Sequence, residues 1–153
     1  MQLLRTTRAG RATGVPHARR PHARTEVAFG RGQLAEVRGL VAELAEAAGL
    51  SRRRTDELVV VVNELAANSV DHGGGHGTVR AWAEREAVVV EVADDGDLAR
   101  TAEERSLGRA QPRGDAERGR GLWIARHLAD DLSIRPADAA SGAGTVVRVV
   151  QAR

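Results

Sequence analysis

The pattern of apolar and polar positions first predicts a short strand and then a long amphipathic helix. Residues Glu26 to Phe29 are typical of a strand entering a domain. From Gln33 onward, apolar residues recur every three or four positions, which predicts a helix that ends at Gly49. The positions of this stripe are Leu34, Val37, Leu40, Val41, Leu44 and Ala48.

A second helix is expected from an N-cap at Ser51 to about Asp71. Within it, Val59 to Val62 are four β-branched residues that would suit a strand if read alone. The length of the segment and the polar residues spaced through it favour the helix. The glycines Gly73 to Gly75 then break the chain.

Two strands, over residues 78–84 and 87–93, are expected to form a hairpin around Arg85 and Glu86. Residues 94 to 119 lack a period, contain four glycines and a proline, and predict a long loop. Gly119-Arg120-Gly121 is then expected to lie directly before a third helix. The apolar positions assigned to that helix are Leu122, Ala125, Leu128, Ala129 and Leu132.

Closing strands are expected over residues 133–135 and 145–150, around a turn from Pro136 to Gly144. The resulting order βααββαββ predicts an α+β fold, a two-layer α/β sandwich. Its sheet is expected to be mixed and mainly antiparallel, with the helices on one face. No internal repeat is visible.

The amino-acid composition excludes several kinds of catalytic and binding site. All 23 basic residues are arginines, so a P-loop lysine, a protein-kinase strand lysine and Schiff-base catalysis are excluded. The absence of cysteine excludes thiol nucleophiles, disulfides and cysteine-based zinc sites. An aromatic content of 2% argues against stacking platforms for single-stranded nucleic acid.

A length of 153 residues fits one domain, and no apolar run approaches a membrane span, so a cytoplasmic location without membrane contact is expected.

The N-terminal residues differ from the rest of the chain in net charge. Residues 1–24 hold six arginines and no acid, whereas the remaining residues carry 17 arginines against 21 acids. We interpret residues 1–24 as a basic, disordered arm and residues 25–153 as the folded domain. Such an arm can contact nucleic acid or an acidic partner, although a leader without a ligand is the commoner case.

Several polar residues are candidates for chemistry. Glu64 and Asn68 are four residues apart and would project from one helix face, where Asn can offer oxygen to a hard cation and Glu can orient or deprotonate a nucleophile. Asp94 ends a strand and can accept a hydrogen bond from a purine amino group. A helix start after Gly119-Arg120-Gly121 would favour phosphate. A zinc site at His72 and His76 is not expected, because no third ligand is near. Taken singly, each of these signals is also consistent with an ordinary polar surface.

Four motifs in order give a resemblance to the GHKL, or Bergerat-fold, ATPases over about residues 25 to 153. The segment Asn63 to Gly73, NELAANSVDHG, resembles the N box of that family. Val92 to Gly96 resembles the first glycine box, and Gly119 to Leu122 followed by a helix resembles the second. Gly144-Thr145 resembles the final box. The form of the N box is most similar to the branch of anti-sigma factor serine/threonine kinases.

The resemblance implies a role for each matching residue. Asn68 matches the magnesium-coordinating asparagine, Glu64 the general base or orienting acid, and Asp94 the carboxylate that binds the adenine amino group. Gly96 would let the base approach, and Thr145 would lie near the adenine and contact it through a water molecule. Residues 97 to 118 would form a mobile lid. Phosphates would be held at the start of the third helix by Gly119, Arg120, Gly121 and Leu122.

The implied function is an ATP- and magnesium-dependent anti-sigma regulator that binds a sigma factor and phosphorylates a Ser or Thr of an anti-sigma-factor antagonist. The chain departs from the family where Leu98 replaces the second glycine of the first glycine box. This change favours an alternative, a non-catalytic ATP-binding or protein-sequestering module of the same fold. A third reading, nucleic-acid binding through the arm, is opposed by the acidic domain and scarce aromatics. The family also leaves a homodimer open.

Overall fold

The structure, a computed structural model, describes residues 24–99 and 117–153, the side chains of residues 117 and 118 excepted. The predicted arm lies outside the described residues except for Arg24. Most of the predicted lid, residues 100 to 116, also lies outside them.

The described chain forms one layer of strands and one layer of helices. A 3₁₀ turn over Arg31–Gln33 leads from the first strand into the first helix. The strands are β1 (Thr25–Gly30), β2 (His76–Ala83), β3 (Ala87–Asp94), β4 (Asp131–Arg135) and β5 (Thr145–Ala152). The helices are α1 (Leu34–Ala48), α2 (Arg52–His72) and α3 (Glu117–Leu128).

The sheet has the strand order β1-β2-β3-β5-β4, and each of its four pairings is antiparallel. The predicted βααββαββ order and the two-layer α+β architecture are therefore confirmed. The sheet is expected from the sequence to be mixed, but among the described residues it is antiparallel throughout. In the central pairing, Asp94 at the end of β3 lies opposite Thr145 at the start of β5. This register places two residues from different predicted motifs side by side.

The first two helices begin and end where the sequence predicts. Gly49 ends α1 in the left-handed region, at φ 88°, which favours glycine. The Ser51 side chain caps α2 by accepting a hydrogen bond from the Arg54 backbone N–H. Val61 and Val62 are buried while Val60 is 43% exposed, so the valine run has the burial pattern of a helix and not of a strand. No helix within the described ranges combines the length and apolar character needed to cross a bilayer.

The core lies between the helices and one face of the sheet. Val79, Val90 and Val149, from the three central strands, are fully buried beneath α1 and α2. Valine is abundant in β3 and β5 because its branched side chain packs well on a pleated surface. The helix layer thus covers the sheet, and α2 lies against both α1 and α3.

The third helix differs from its prediction at both ends. Its described part begins at Glu117, so Gly119-Arg120-Gly121 lies inside the helix and not before it. It ends at Leu128, because the backbone N–H of Asp130 donates to Val150 of β5 and the chain turns into the sheet. Leu132 therefore packs against the core from β4 and not from the helix.

At the N-terminal end of α2, Arg54 links this helix to the segment between α3 and β4 and to β5. Its guanidinium donates to Glu57 Oε2 at 3.1 Å, to the Asp130 carboxylate and to the carbonyl of Ala152. Asp130 in turn accepts from the Ala152 backbone N–H at 2.7 Å. The Arg54 side chain is only 19% exposed, so its loss would leave Asp130 without its cation and Glu57 with the exposed Arg53 alone.

Replacement of Arg54 by alanine is therefore expected to lower the free energy of unfolding by about 2 kcal/mol, less than for a fully buried pair because Asp130 is partly exposed. Urea denaturation followed by circular dichroism measures the change. Arg53→Ala is the matched control, since Arg53 is 80% exposed and pairs only with Glu57 at 3.4 Å. Its effect should stay within about 0.5 kcal/mol. Equal destabilisation by the two variants would contradict the linking role.

Candidate functional site

A cleft opens between the C-terminal half of α2 and the ends of β3 and β5. Its empty volume is about 470 Å³, the open side included. The apolar lining consists of Leu65, Val92, Leu98 and Val147, and the remaining lining of Asn68, Ser69, His72, Gly73, Asp94, Gly96 and Asp97. An apolar cavity with a few polar groups at one side is the usual form of a small-molecule site.

Asp94 is held by two hydrogen bonds from the chain. Its Oδ1 accepts from the Gly96 backbone N–H at 2.8 Å, and its Oδ2 accepts from the Ser69 hydroxyl at 2.6 Å. Ser69 is 1% exposed and its Oγ also lies 3.1 Å from the carbonyl oxygen of Leu65. The carboxylate is therefore fixed in direction and retains lone pairs for a further donor.

Two glycines let the backbone approach this carboxylate closely. A Cβ atom on Gly73 would lie 2.5 Å from both Cγ and Oδ2 of Asp94. A Cβ atom on Gly96 would lie 3.0 Å from Asp94 Oδ1 and 3.0 Å from the Cα atom of Gly73. The Asp95 backbone N–H also donates to the Gly73 carbonyl at 3.2 Å. The end of α2 and the end of β3 thus meet at Asp94.

Thr145 lies directly behind this point and is 1% exposed. Its hydroxyl donates to the carbonyl oxygen of Gly96 and accepts from the backbone N–H of Ala99, each at 3.1 Å. The hydroxyl therefore joins the start of β5 to the turn that follows β3. Gly144, at φ 66°, precedes it because a Cβ atom there would lie 2.9 Å from the Asp94 carbonyl oxygen.

Glu64 and Asn68 form the second part of the site. They lie one turn apart on α2 and are both half-buried. A Cβ atom on Gly121 of α3 would lie 2.8 Å from Glu64 Oε2 and 3.3 Å from Asn68 Nδ2, so this glycine permits the two helices to touch here. No described residue hydrogen-bonds or forms an ion pair with the side chain of Glu64 or Asn68. The carboxylate and the amide are therefore available to a ligand.

The other residues predicted at the second glycine box are placed differently. Leu122 is 1% exposed, its side chain belongs to the hydrophobic core, and it does not line the cleft. Gly119 lies among the first described residues of α3. Arg120 is exposed at the same end of the helix, and neither it nor Gly119 lines the cleft. The structure thus brings Gly121 to Glu64 and Asn68 but leaves Leu122 in the core.

Sequence reasoning missed Ser69 and Gly73 as parts of the site. Ser69 falls in the buried stripe of α2, so a hydroxyl among apolar neighbours was the available signal. Gly73 gave no separate signal, since it could be read as the end of the helix. Leu98, recognised only as a departure from a motif, lines the cleft and packs partly against the core.

The described residues contain no cluster of three or more His, Asp or Glu side chains that could hold a metal ion by themselves. His76 instead contacts the Gly74 carbonyl oxygen through Nδ1 at 3.0 Å and Asp95 through Nε2 at 3.3 Å. His72 lines the cleft. A cation held here would have to take part of its coordination from a bound ligand.

The profile of the histidine kinase-like ATPase domain matches residues 28–151, most of the chain. The chain belongs to this family. The predicted family resemblance is thus confirmed, and nucleotide binding is the property that the family name carries. No curated protein shows significant similarity to the chain.

Solved structures of low sequence identity share the fold of this ATPase domain. One is the SiaB-SiaC complex from Pseudomonas aeruginosa, with a TM-score of 0.62 and 14% identity over 81% of this chain and 89% of the other. Another is the mycobacterial sensor histidine kinase MprB, with a TM-score of 0.52 and 18% identity over 86% of this chain and 97% of the other. At these identities the likeness establishes the architecture alone.

Proposed function

We propose that this histidine kinase-like ATPase domain is an ATP- and magnesium-dependent anti-sigma regulatory factor. It phosphorylates a serine or threonine of an anti-sigma-factor antagonist. One observation carries the proposal: the cleft that contains the fixed carboxylate of Asp94 is also lined by Asn68, and Glu64 lies one helical turn before Asn68. Among the described residues, neither Glu64 nor Asn68 has a side-chain partner. Asp94 suits the amino group of a purine, and the pair of Glu64 and Asn68 suits the phosphate end of the same nucleotide.

At the base end, Asp94 accepts the hydrogen bond of the adenine 6-amino group. The Ser69 hydroxyl and the Gly96 N–H already orient the two oxygens of Asp94. Binding would therefore cost little further conformational entropy of this side chain. The apolar side chains of Leu65, Val92 and Val147 line the cleft beside it and can cover the faces of a purine ring.

At the phosphate end, Asn68 would hold magnesium through its amide oxygen. Among the described residues no side chain or backbone group bonds to this amide, and its oxygen together with the neighbouring Glu64 carboxylate is the kind of hard oxygen donor that magnesium prefers. The ion when bound would supply charge neutralisation at the phosphates. Gly119, among the first described residues of α3, would lie beside the phosphates, where the positive end of the helix dipole favours negative charge. Arg120 supplies positive charge at that end of the helix, a role that falls to arginine because the chain has no lysine.

Glu64 acts on the acceptor hydroxyl. The hydroxyl oxygen forms a bond to the γ-phosphorus, the bond from that phosphorus to the bridging oxygen of ADP breaks, and the hydroxyl proton passes to the Glu64 carboxylate. Because Gly121 carries no side chain, the carboxylate remains close to α3 and next to Asn68. In this proposal the transfer depends on alignment of the acceptor hydroxyl and on proton transfer to Glu64.

The proposed partners are a sigma factor, which is bound, and an antagonist protein, which is phosphorylated, and the proposed location is the cytoplasm. SiaB, which has the same fold, was solved in a complex with SiaC, and this supports a protein partner for the domain here. The alternative is a module that binds ATP or a protein without transfer. Leu98 at the cleft favours that alternative, since it occupies a place where the family motif has glycine.

Calorimetry of ATP binding, with magnesium and with a chelator, tests the proposal. The wild type should bind only weakly in the chelator, and Asn68→Ala should weaken binding with magnesium by roughly tenfold or more, because a ligand to the cation is lost. Asn63→Ala is the matched control: it lies on the same helix, outside the cleft lining, and its amide is bonded to Arg38 at 2.9 Å. Identical affinities for the two variants would remove Asn68 from the site.

Transfer is tested separately with γ-labelled ATP and a panel of purified anti-sigma-factor antagonists from the same organism. Label on a serine or threonine of one of them would establish the kinase. Tight binding of ATP without transfer to any of them would instead favour the sequestering module. A wild type that does not bind ATP at all would overturn both ATP-dependent readings.

A further inference from the structure

Hydrogen bonds form a continuous chain from α2 to the turn after β3. The chain begins at the Ser69 hydroxyl, which donates to Asp94 Oδ2 at 2.6 Å. It passes from Asp94 Oδ1 to the Gly96 N–H at 2.8 Å, and from the Gly96 carbonyl to the Thr145 hydroxyl at 3.1 Å. It ends at the Ala99 N–H, which donates to Thr145 Oγ1 at 3.1 Å. Asp94 therefore lies in the middle of a connected network that spans three elements.

We propose that Thr145 is a positioning residue, which holds the turn from Gly96 to Ala99 and through it keeps Asp94 in its binding orientation. The sequence resemblance suggested a different part for Thr145, a water-mediated contact with the base. In the structure, its single hydroxyl proton is directed to Gly96 and a lone pair is taken by Ala99. With 1% exposure, the side chain contacts the protein and not the open cleft.

The bond from the Ala99 N–H to Thr145 is buried, and the bond from Thr145 to the Gly96 carbonyl is half-buried. A buried N–H or C=O group that loses its partner costs more than the bond itself contributed, because water cannot replace the partner. Removal of the Thr145 hydroxyl would leave the Ala99 N–H and the Gly96 carbonyl without it at the same time. The turn would then open more often, and the Gly96 N–H that orients Asp94 Oδ1 would move with it.

The test compares Thr145→Val, which replaces the hydroxyl by a methyl group of similar size, with Thr145→Ser, which keeps the hydroxyl. Valine suits this position because Thr145 is a strand residue paired with Asp94. Hydrogen exchange of the Ala99 amide in the ligand-free protein is the first measurement. It should become roughly five- to tenfold faster in Thr145→Val and remain near the wild-type rate in Thr145→Ser. Unchanged exchange in Thr145→Val would overturn the proposal.

The second measurement is ATP affinity, and this part rests on the proposed function. Thr145→Val should weaken binding roughly three- to tenfold, with rescue by Thr145→Ser. Ser69→Ala should also weaken binding but leave Ala99 exchange unchanged, since it breaks the network on the other side of Asp94. Faster exchange in Thr145→Val with unaltered affinity would show a structural clamp that does not position the site. Because exchange is read without nucleotide, a protein that fails to bind ATP still tests the clamp.

Discussion

Replacement of Asp94 by asparagine is expected to weaken ATP binding roughly 10- to 100-fold, because a hydrogen bond to a charged group is lost and an amide group takes its place. The fold should be retained. An asparagine can keep its oxygen toward the Gly96 N–H, while Ser69 turns its proton to the Leu65 carbonyl, 3.1 Å away, and accepts from the new amide. Calorimetry measures the affinity and circular dichroism the fold.

Asp95→Asn is the matched control, since that carboxylate is the next residue, is 80% exposed and faces His76. It should change the affinity less than about twofold, as expected for an exposed charge outside the cleft. A similar loss in both variants would mean that local charge, and not a directed hydrogen bond, governs binding.

The ligand can be varied together with the protein. Inosine triphosphate carries a carbonyl oxygen where ATP carries the 6-amino group, so in the wild type it should bind much more weakly than ATP. In Asp94→Asn this preference for ATP should shrink to within about threefold. The variant lacks the carboxylate that accepts from the 6-amino group, so removing that amino group from the ligand costs little more. An unaltered preference would show that another residue recognises the amino group.

Replacement of Glu64 by glutamine is expected to reduce phosphoryl transfer roughly 10²- to 10⁴-fold, the range for loss of a positioned general base. ATP binding should remain within about threefold of the wild type, because glutamine has nearly the same shape and leaves Asn68 in place. Single-turnover transfer to the antagonist protein measures the first quantity, and calorimetry measures the second.

The control for Glu64 is Asp56→Asn, which neutralises an exposed carboxylate two turns earlier on the same helix. Asp56 is 71% exposed and its partner is Arg52, at 4.0 Å. Transfer should be unchanged in this variant. If Glu64→Gln transferred phosphate at the wild-type rate, the carboxylate would have no part in the chemistry. The rate of transfer would then depend on alignment by the remaining residues.

Local sequence determined α1, α2 and part of the site, whereas the C-terminal end of α3 also depended on contacts with the sheet. The three-four repeat of apolar residues, the Ser51 cap and the Gly49 stop define α1 and α2 because helical periodicity and capping act within a few residues. The pairing of Glu64 with Asn68 follows from the same periodicity, since residues four apart share a helix face. The ordered motifs likewise identified the family, which the profile match confirms.

Tertiary structure alone decided which residues complete the site. Ser69 and Asp94 are 25 residues apart and meet because α2 packs over the end of β3. Gly121 is needed inside α3 because that helix touches Glu64, and neither periodicity nor a glycine count reveals this contact. Thr145 reaches Gly96 and Ala99 because the β3–β5 register places it opposite Asp94. Such contacts depend on how the layers pack and on strand register, whereas α1 and α2 themselves depend on interactions within a few residues.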